Sequence, residues 1–154
     1  MDQKGITLIE LLITVTILAV LASVVVPFSQ MSVKRQKEVE LRRNLRIIRN
    51  AIDGYKRAWD EGRVKKNVGE SGYPPDLASL VSGVDDITSA EGRKIRFLRR
   101  VPPDPMSQGM DPMRAWGLRS YESDFDSPEE GDDVYDVYSK SDEIAIDGTP
   151  YRSW

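Results

Sequence analysis

A single acidic side chain lies inside the most apolar stretch of the sequence. The run from Ile6 to Phe28 contains one charged residue, Glu10. A helix over this run would span about 34 Å at about 1.5 Å per residue, which is enough to cross the hydrocarbon core of a bilayer. An acid well inside hydrocarbon costs roughly 2.5–3.5 kcal/mol, so a partner of opposite charge is expected. Glu10 is therefore the first candidate functional residue, and its expected chemistry is ion pairing.

The residue types that most often carry out catalysis are missing. The sequence contains no cysteine and no histidine. It therefore has neither a thiol nucleophile nor the usual general base and transition-metal ligand, and it cannot form a disulfide. No nucleophile motif is visible, which disfavours a membrane-anchored hydrolase. A role other than that of an enzyme is expected.

Two general interpretations of the N-terminal stretch leave Glu10 unexplained. A secretory signal peptide would use Lys4 as its positive region and would be cut after Ala22. The apolar region of such signals is typically about 7 to 15 residues long, and this one is longer. A single-pass anchor would place Lys34 and Arg35 on the cytoplasmic side of the membrane, with Glu10 again in hydrocarbon.

A third interpretation starts from the residues around the acid. The segment K-G-I-T-L-I-E, residues 4–10, resembles the prepilin processing motif of type IV pilins and type II secretion pseudopilins. The resemblance implies that a membrane peptidase cuts after Gly5 and removes residues 1–5 as a leader. The same enzyme would methylate the new amino terminus at Ile6, a position where the family most often has phenylalanine.

The resemblance also gives the apolar run a role. Residues 6–28 are implied to stay on the mature protein as a membrane-spanning helix that becomes the core of a filament. In that core Glu10 is implied to meet the amino terminus of a neighbouring subunit. Opposite charges attract far more strongly at low dielectric constant than in water, provided that neither is left unpaired.

An amphipathic helix is predicted over residues 31–61, directly after the apolar run. Pro27 is expected to kink or loosen the helix between the two parts without ending it. Apolar side chains recur every three or four residues and form one stripe, which Ile47, Ala51 and Ala58 widen. This width favours packing against a sheet of the same chain over a coiled coil. The stripe consists of Leu41, Leu45, Ile48, Ile52, Tyr55 and Trp59.

The remaining chain carries signals for short elements, so residues 29–154 are expected to form a head. Asp76 is the predicted N-cap of a short helix over residues 76–81. Alternating patterns predict strands at residues 115–121 and 134–139. We therefore expect an α+β, pilin-like fold. Its long N-terminal helix, membrane-spanning in the first half and amphipathic in the second, packs on a small antiparallel sheet of about three strands.

Charge is distributed unevenly along the chain. Residues 34–66 contain twelve Lys or Arg and five Asp or Glu, whereas residues 101–154 contain four and thirteen. Seven of those acids lie in one predicted loop, residues 122–133. Two explanations remain open: solvated surfaces, or complementary patches between subunits. Nucleic-acid binding is disfavoured because the basic helix has no interleaved aromatic residues and no recognised motif.

The second half of the chain resembles the major pseudopilins of type II secretion, in the R-R-V-P-P-D-P run at 99–105 and in the ending at 142–154. The resemblance implies a calcium ion held by Asp142 and Asp147, with the backbone of Ser139 as a further ligand. The two aspartates are closer in sequence than in the best-known members. Alternatively, both aspartates simply form turns. The acidic loop is a competing site for a weakly held cation, through Asp124, Asp126, Asp132 and Asp133.

These resemblances together imply the major subunit of a type II secretion pseudopilus. Such a subunit crosses the bacterial inner membrane once, has its head in the periplasm, and joins a periplasmic filament that drives protein secretion. The implied partners are other copies of the chain, the prepilin peptidase and N-methyltransferase, minor pseudopilins and the inner-membrane assembly platform. The alternative is a type IV pilin of a surface pilus used for adhesion, motility or DNA uptake, which shares the N-terminal features.

Overall fold

The structure is a computed structural model that describes residues 7–124 and 126–154. Within its first helix, the side chains of residues 24–28 are not described. The chain divides into two compact units, of which the first ends at Gln36 and the second is Lys37–Trp154. The first helix contributes residues to both units.

Helix α1 is continuous over Leu8–Asp60, a length of 53 residues. It contains the predicted apolar segment from Leu8 onward and the predicted amphipathic segment as far as Asp60, and the prediction that Pro27 does not end the helix is confirmed. Its C-terminus is closed by Gly62, whose φ of 72° suits a glycine, and by a hydrogen bond from the Arg63 N–H to the Ala58 carbonyl at 2.9 Å. Among the residues whose side chains are described, no helix has both the length and the apolar character that crossing a membrane requires.

The predicted apolar stripe of α1 forms the centre of the core of the second unit. Leu41 and Ile48 are completely buried. Each large apolar side chain buried in this way contributes about 1.5–3 kcal/mol. Of the residues expected to widen the stripe, Ala51 and Ala58 are buried, whereas Ile47 is 37% exposed. The residues that complete the core are Val64, Leu77, Leu80, Leu98, Val101, Trp116, Val134, Val137, Ala145 and Tyr151.

A short helix and a two-residue strand pair follow the loop after α1. Helix α2 covers Leu77–Ser82, and the predicted cap is confirmed, because the Asp76 carboxylate accepts a hydrogen bond from the Ser79 N–H at 2.7 Å. Strand β1, Val84–Asp85, pairs antiparallel with strand β2, Lys94–Ile95. The sequence analysis assigns no strand to this stretch.

The predicted C-terminal strands are present and pair with each other. Helix α3, Pro112–Ala115, leads into strand β3, Trp116–Arg119, which pairs antiparallel with strand β4, Asp136–Ser139. The register places Trp116 opposite Ser139. Within the described chain the strands form two separate two-stranded sheets, whereas one sheet of about three strands was predicted. The prolines between β2 and β3 have no backbone N–H group, so they cannot donate the hydrogen bonds that a third strand would need.

The last 15 residues, 140–154, are called here the C-terminal segment. An isolated antiparallel bridge joins Ile144 to Pro150, and a 3₁₀-helix covers Tyr151–Ser153. Tyr151 is fully buried in the core. The segment therefore folds back on the second unit and is held there by a large aromatic side chain.

Candidate functional site

The N-terminal motif is described from Thr7 onward. The predicted processing residues Gly5 and Ile6, together with the expected leader at 1–5, lie outside the described residues. The Oγ1 atom of Thr7 accepts a hydrogen bond from the backbone N–H of Glu10 at 3.3 Å. A threonine that caps a helix, followed three residues later by a glutamate, is the pattern of a capping box. The motif therefore also specifies where α1 begins.

Glu10 lies among exposed apolar side chains. Its carboxylate forms no ion pair with another described residue, and it stands in the first turn, where the helix dipole favours a negative charge. If another apolar surface covered this region, the carboxylate would lose water and would need a counter-charge. The surrounding residues that are at least half exposed include Leu8, Ile9, Leu11, Leu12 and Ile13.

Both aspartates predicted to bind calcium face an arginine. The Oδ1 atom of Asp147 accepts hydrogen bonds from the Thr149 N–H at 3.0 Å and the Thr149 hydroxyl at 2.6 Å, while its Oδ2 lies 3.2 Å from Nη2 of Arg42. The bonds from Thr149, and then the charge of Arg42, lower the pKa of Asp147. The Oδ1 atom of Asp142 lies 3.5 Å from Nη1 of Arg152, and the Asp142 side chain is 88% exposed.

Ser139, the third predicted ligand, is buried in β4. Its hydroxyl donates a hydrogen bond to Oδ2 of Asp104 at 2.7 Å. Asp104 is 2% exposed and also accepts from the Met106 N–H at 2.8 Å and the Ser107 hydroxyl at 3.2 Å. A buried carboxylate with three donors is well satisfied. Asp104 thus joins the proline-rich run at 99–105 to β4.

The three predicted ligands, Asp142, Asp147 and the backbone of Ser139, would supply only part of the coordination shell of a calcium ion. Calcium takes about 6–8 oxygen ligands. In the described part of the chain, no three acidic, histidine or cysteine side chains lie together in a way that could hold a metal ion. An ion between Asp142 and Asp147 would therefore need backbone carbonyls and water, and it would compete with Arg42 and Arg152 for the carboxylates.

The acidic loop, residues 122–133, is anchored through one of its aspartates. Asp133 accepts hydrogen bonds from the Ser71 hydroxyl and from the Tyr121 N–H, the latter at 2.8 Å. The other three aspartates of the competing cation site are exposed. They are Asp124, Asp126 and Asp132.

A buried glutamate that sequence reasoning missed holds the C-terminal segment. Oε1 of Glu38 accepts a hydrogen bond from the Tyr151 hydroxyl at 3.0 Å and another from the Ile146 N–H at 2.8 Å. Burial, and then the hydrogen bond to Glu38, raise the pKa of Tyr151 to about 12. Glu38 lies three residues before Leu41 and therefore on the apolar face of α1. That spacing could have identified Glu38 in the sequence as a buried acid.

Two arginines of α1 also reach the end of the chain. Nε of Arg49 lies 2.7 Å from Oδ1 of Asp136, and its Nη2 donates to the carbonyls of Val137 at 3.1 Å and Trp154 at 2.6 Å. The Arg42 guanidinium lies 4.1 Å from the centre of the Trp154 ring, within the range of a cation–π contact. In the sequence both arginines are part of the basic stretch at 34–66, for which a solvated surface and a patch that contacts another subunit both remained open. Their spacing carries no signal for these distant partners.

Comparison with known proteins identifies one region of the chain. Residues 1–26 match the prokaryotic N-terminal methylation motif, which is type IV prepilin-like. This motif indicates a pilin-like, structural protein that a prepilin peptidase processes and that assembles into a filament, and it fits a membrane-anchored subunit. The match does not distinguish a pseudopilin from a pilin. No curated protein and no solved structure matches the chain.

Proposed function

We propose that this protein is a structural subunit of a type II secretion pseudopilus that polymerises through its N-terminal helix and thereby drives the export of periplasmic proteins. The observation that carries the proposal is the methylation motif at residues 1–26, which runs into a continuous 53-residue helix. Exposed apolar side chains along the start of α1 give each subunit a surface that other copies can cover.

Glu10 sets the position of each subunit in the filament. After cleavage, the amine of Ile6 in one subunit pairs with the Glu10 carboxylate of a neighbour. Because both charges are then surrounded by apolar helices, leaving either unpaired costs roughly 3–5 kcal/mol. Subunits displaced along the filament axis lose this pair, so it selects one register from the many that apolar packing alone would allow.

Two segments favour a secretion pseudopilus over a surface pilus, and the support comes from resemblance. They are the proline-rich run at 99–105 and the chain ending at 142–154. Asp104 and Trp154, one from each, make contacts with β4 and α1 that hold these segments in place. In this proposal the heads project into the periplasm, where minor pseudopilins and the assembly platform are the further partners.

The location of the filament separates this proposal from a surface pilus. In cells that contain the secretion system, we expect cross-links between the head and components of the secretin pathway. We also expect no filaments in the fraction sheared from the cells. Abundant sheared filaments without such cross-links would assign the protein to a surface pilus. Cells that express Glu10→Val provide the control that lacks assembly.

We further propose that calcium binds to Asp142 and Asp147, with the backbone of Ser139 and water completing the shell. Support comes from the resemblance of the chain ending and from the two carboxylates, whose present partners are exposed or half-exposed arginines. Surface pairs of this kind contribute about 0–1 kcal/mol, so a divalent ion can displace them. The ion would tie Asp142 to Asp147 across the bridge between Ile144 and Pro150.

Thermal melting of the full chain in detergent, with calcium and with chelator, tests this site. An ion that binds only the folded state stabilises it by about 2.7 kcal/mol at a hundredfold excess over its Kd. We expect calcium to raise the Tm of the parent, and Asp142→Ala and Asp147→Ala to remove the increase. Asp124→Ala is the control for the acidic loop. Identical melting curves with calcium and chelator would leave the two aspartates as turn residues.

A further inference from the structure

A cavity with an acidic lining opens beside the C-terminal half of α1. Its volume is about 540 Å³, within the range of small-ligand sites. The lining comes from the loop at 67–71, from Tyr55 on α1, and from both ends of the acidic loop. It includes four carboxylates and no lysine or arginine: Glu70, Glu122, Asp132 and Asp133.

Two of the four carboxylates are already engaged and two are not. Glu70 accepts hydrogen bonds from the Asn67 side chain at 2.6 Å and its N–H at 3.2 Å, while Asp133 is held by Ser71 and Tyr121. Glu122 and Asp132 are exposed and form no ion pair with another described residue. Glu122 and Asp132 therefore give the cavity negative charge that no ion pair within the described chain balances.

The side chain of Tyr55 gives an independent sign that this cavity accepts a ligand. Tyr55 is 7% exposed, lines the cavity, and makes no hydrogen bond through its hydroxyl to another described residue. Because Tyr55 lines the cavity and its hydroxyl has no partner in the described chain, that hydroxyl is available to bond a group that enters the cavity. Burial, and then the charges of Glu70 and Asp76, raise the pKa of Tyr55. A cationic hydrogen-bond donor satisfies both the hydroxyl and the carboxylates.

The chain itself carries exposed cations of the required chemistry on the outer face of α1. Arg43 and Arg46 are exposed and form no ion pair with another described residue, whereas Arg42 and Arg49 are held by Asp147 and Asp136. A guanidinium presents five N–H donors in a planar fork, which suits paired carboxylates and a phenolic oxygen.

Apolar side chains flank both surfaces. On α1, Val39 and Ile47 lie one turn on either side of Arg43 and are 64% and 37% exposed. At the cavity, Val68 is fully exposed and Tyr121 is 60% exposed. The two surfaces are complementary in charge, and each has exposed apolar side chains beside its charges that a contact between copies would bury.

We propose that the acidic cavity of one subunit receives the Arg43 and Arg46 guanidiniums of a second copy of this chain, with Val68 and Tyr121 packing on Val39 and Ile47. The contact rests on the proposed filament function, because it joins the heads of subunits whose helices already associate. In this contact the basic stretch of one subunit meets the acidic loop of another, which accounts for the uneven distribution of charge along the chain. Arg46 reaches Asp132 and Glu122 at the cavity entrance, and the Tyr55 hydroxyl accepts from Arg43.

Disulfide cross-linking tests the contact, because the native chain contains no cysteine. Two full-length variants, Asp132→Cys and Arg46→Cys, are expressed together in cells that assemble filaments. We expect a disulfide-linked heterodimer under mild oxidation. Replacing Arg46→Cys by Arg100→Cys, another exposed arginine outside α1, should abolish this heterodimer.

Charge reversal provides a second measurement that does not depend on thiol geometry. Asp132→Arg and Arg46→Glu should each reduce filament number, and the double variant should restore it, while Asp132→Asn should have the smaller effect. Normal parental filaments without cross-linking or restoration would overturn the contact and leave the proposed function standing. Absence of parental filaments would instead overturn the proposed function. If Arg46→Glu abolished binding to anionic lipid vesicles without any heterodimer in cells, the α1 face would be a lipid-binding surface and the contact would be wrong.

Discussion

At the level of single residues, Glu10 shows how a backbone role and a side-chain role can share one position. Its N–H is bonded to Thr7, which sets the start of α1, while its carboxylate stays in the exposed apolar surface. Because the cap uses the backbone of Glu10, a change of its side chain leaves the cap in place. Folding and assembly can therefore be separated by mutation.

Glu10→Val and Glu10→Gln should be inserted and processed normally but should form few filaments or none. The valine variant should enter the membrane more easily, since an acid in hydrocarbon costs roughly 2.5–3.5 kcal/mol. Electron microscopy would count the filaments, and the mass of the mature chain would report processing. Normal filament number and length in Glu10→Val would refute the pairing with the neighbouring amine.

Asp86 is expected to make stability depend on pH at the acidic end. Hydrogen bonds from Arg63, at 2.6 Å, and from Thr88 lower its pKa from 3.8 to about 2. Since the folded state holds the proton less tightly than the unfolded state, the contribution of Asp86 is present above about pH 4 and is lost between about pH 4 and pH 2. The Tm of the parent should fall across this window more steeply than that of Asp86→Asn. Parallel curves would show that the Arg63 pair does not contribute.

At the level of elements, the C-terminal segment is held to α1 by a buried acceptor. Glu38→Leu would leave the Tyr151 hydroxyl and the Ile146 N–H without an acceptor, which should cost about 1–3 kcal/mol of unfolding free energy. Glu38→Gln is the matched control, because its amide oxygen can accept both hydrogen bonds. Chemical denaturation of the three proteins would measure the difference. Equal losses in both variants would assign the effect to charge and not to the acceptor.

The pairing of β3 with β4 depends on a glycine. Gly117 lies opposite Tyr138 in the ladder, and a Cβ atom added at Gly117 would overlap the Tyr138 ring. Gly117→Ala should therefore destabilise the second unit by about 1–3 kcal/mol, as overpacking does. In a Tyr138→Ala background the same change should cost much less. An equal cost in both backgrounds would show that the ring is not the obstacle.

How well each element could be predicted depended on how local its cause is. The stripe from Leu41 to Tyr55 and the cap at Asp76 follow from spacing within a few residues, and both predictions are confirmed. The strands at β3 and β4 were found from their alternation, although they are shorter than predicted. The pair β1–β2 has two residues in each strand, too few for any period, and depends on distant packing.

In the candidate site, too, the features with a local cause could be predicted and those that depend on distant residues could not. The N-terminal motif is a local pattern, and the comparison with known proteins confirms it as a methylation motif over residues 1–26. The contacts of Glu38 and Arg49 join residues about a hundred positions apart, so no spacing rule could reveal them. Calcium binding stays a prediction, since two aspartates alone do not define a metal site.

At the level of the whole molecule, removal of the leader should depend on Gly5, the residue directly before the cut. Gly5→Val should keep residues 1–5, because cleavage at the membrane surface requires a small side chain at that position. Intact-mass measurement of the membrane fraction would detect the retained leader. Gly5→Ala, with the smallest added side chain, is the matched comparison and should be processed at least in part. Normal maturation of Gly5→Val would place the cut elsewhere and would revive the secretory signal peptide.

Trp154 packs against both α1 and the 3₁₀-helix, so its intrinsic fluorescence depends on whether the end of the chain stays in place. The indole is covered by Arg42, contacts Tyr151 edge to face with ring centres 5.2 Å apart, and donates to the Thr149 hydroxyl at 2.7 Å. Trp116, by contrast, is 1% exposed and donates to the Pro102 carbonyl. Indole fluorescence moves to longer wavelength when water replaces such neighbours. The chain contains a third tryptophan, Trp59, so both other indoles must be removed. Emission from Trp154 in a Trp59→Phe, Trp116→Phe background would therefore report when the end of the chain leaves the helix, in a growing filament as well as in a cuvette.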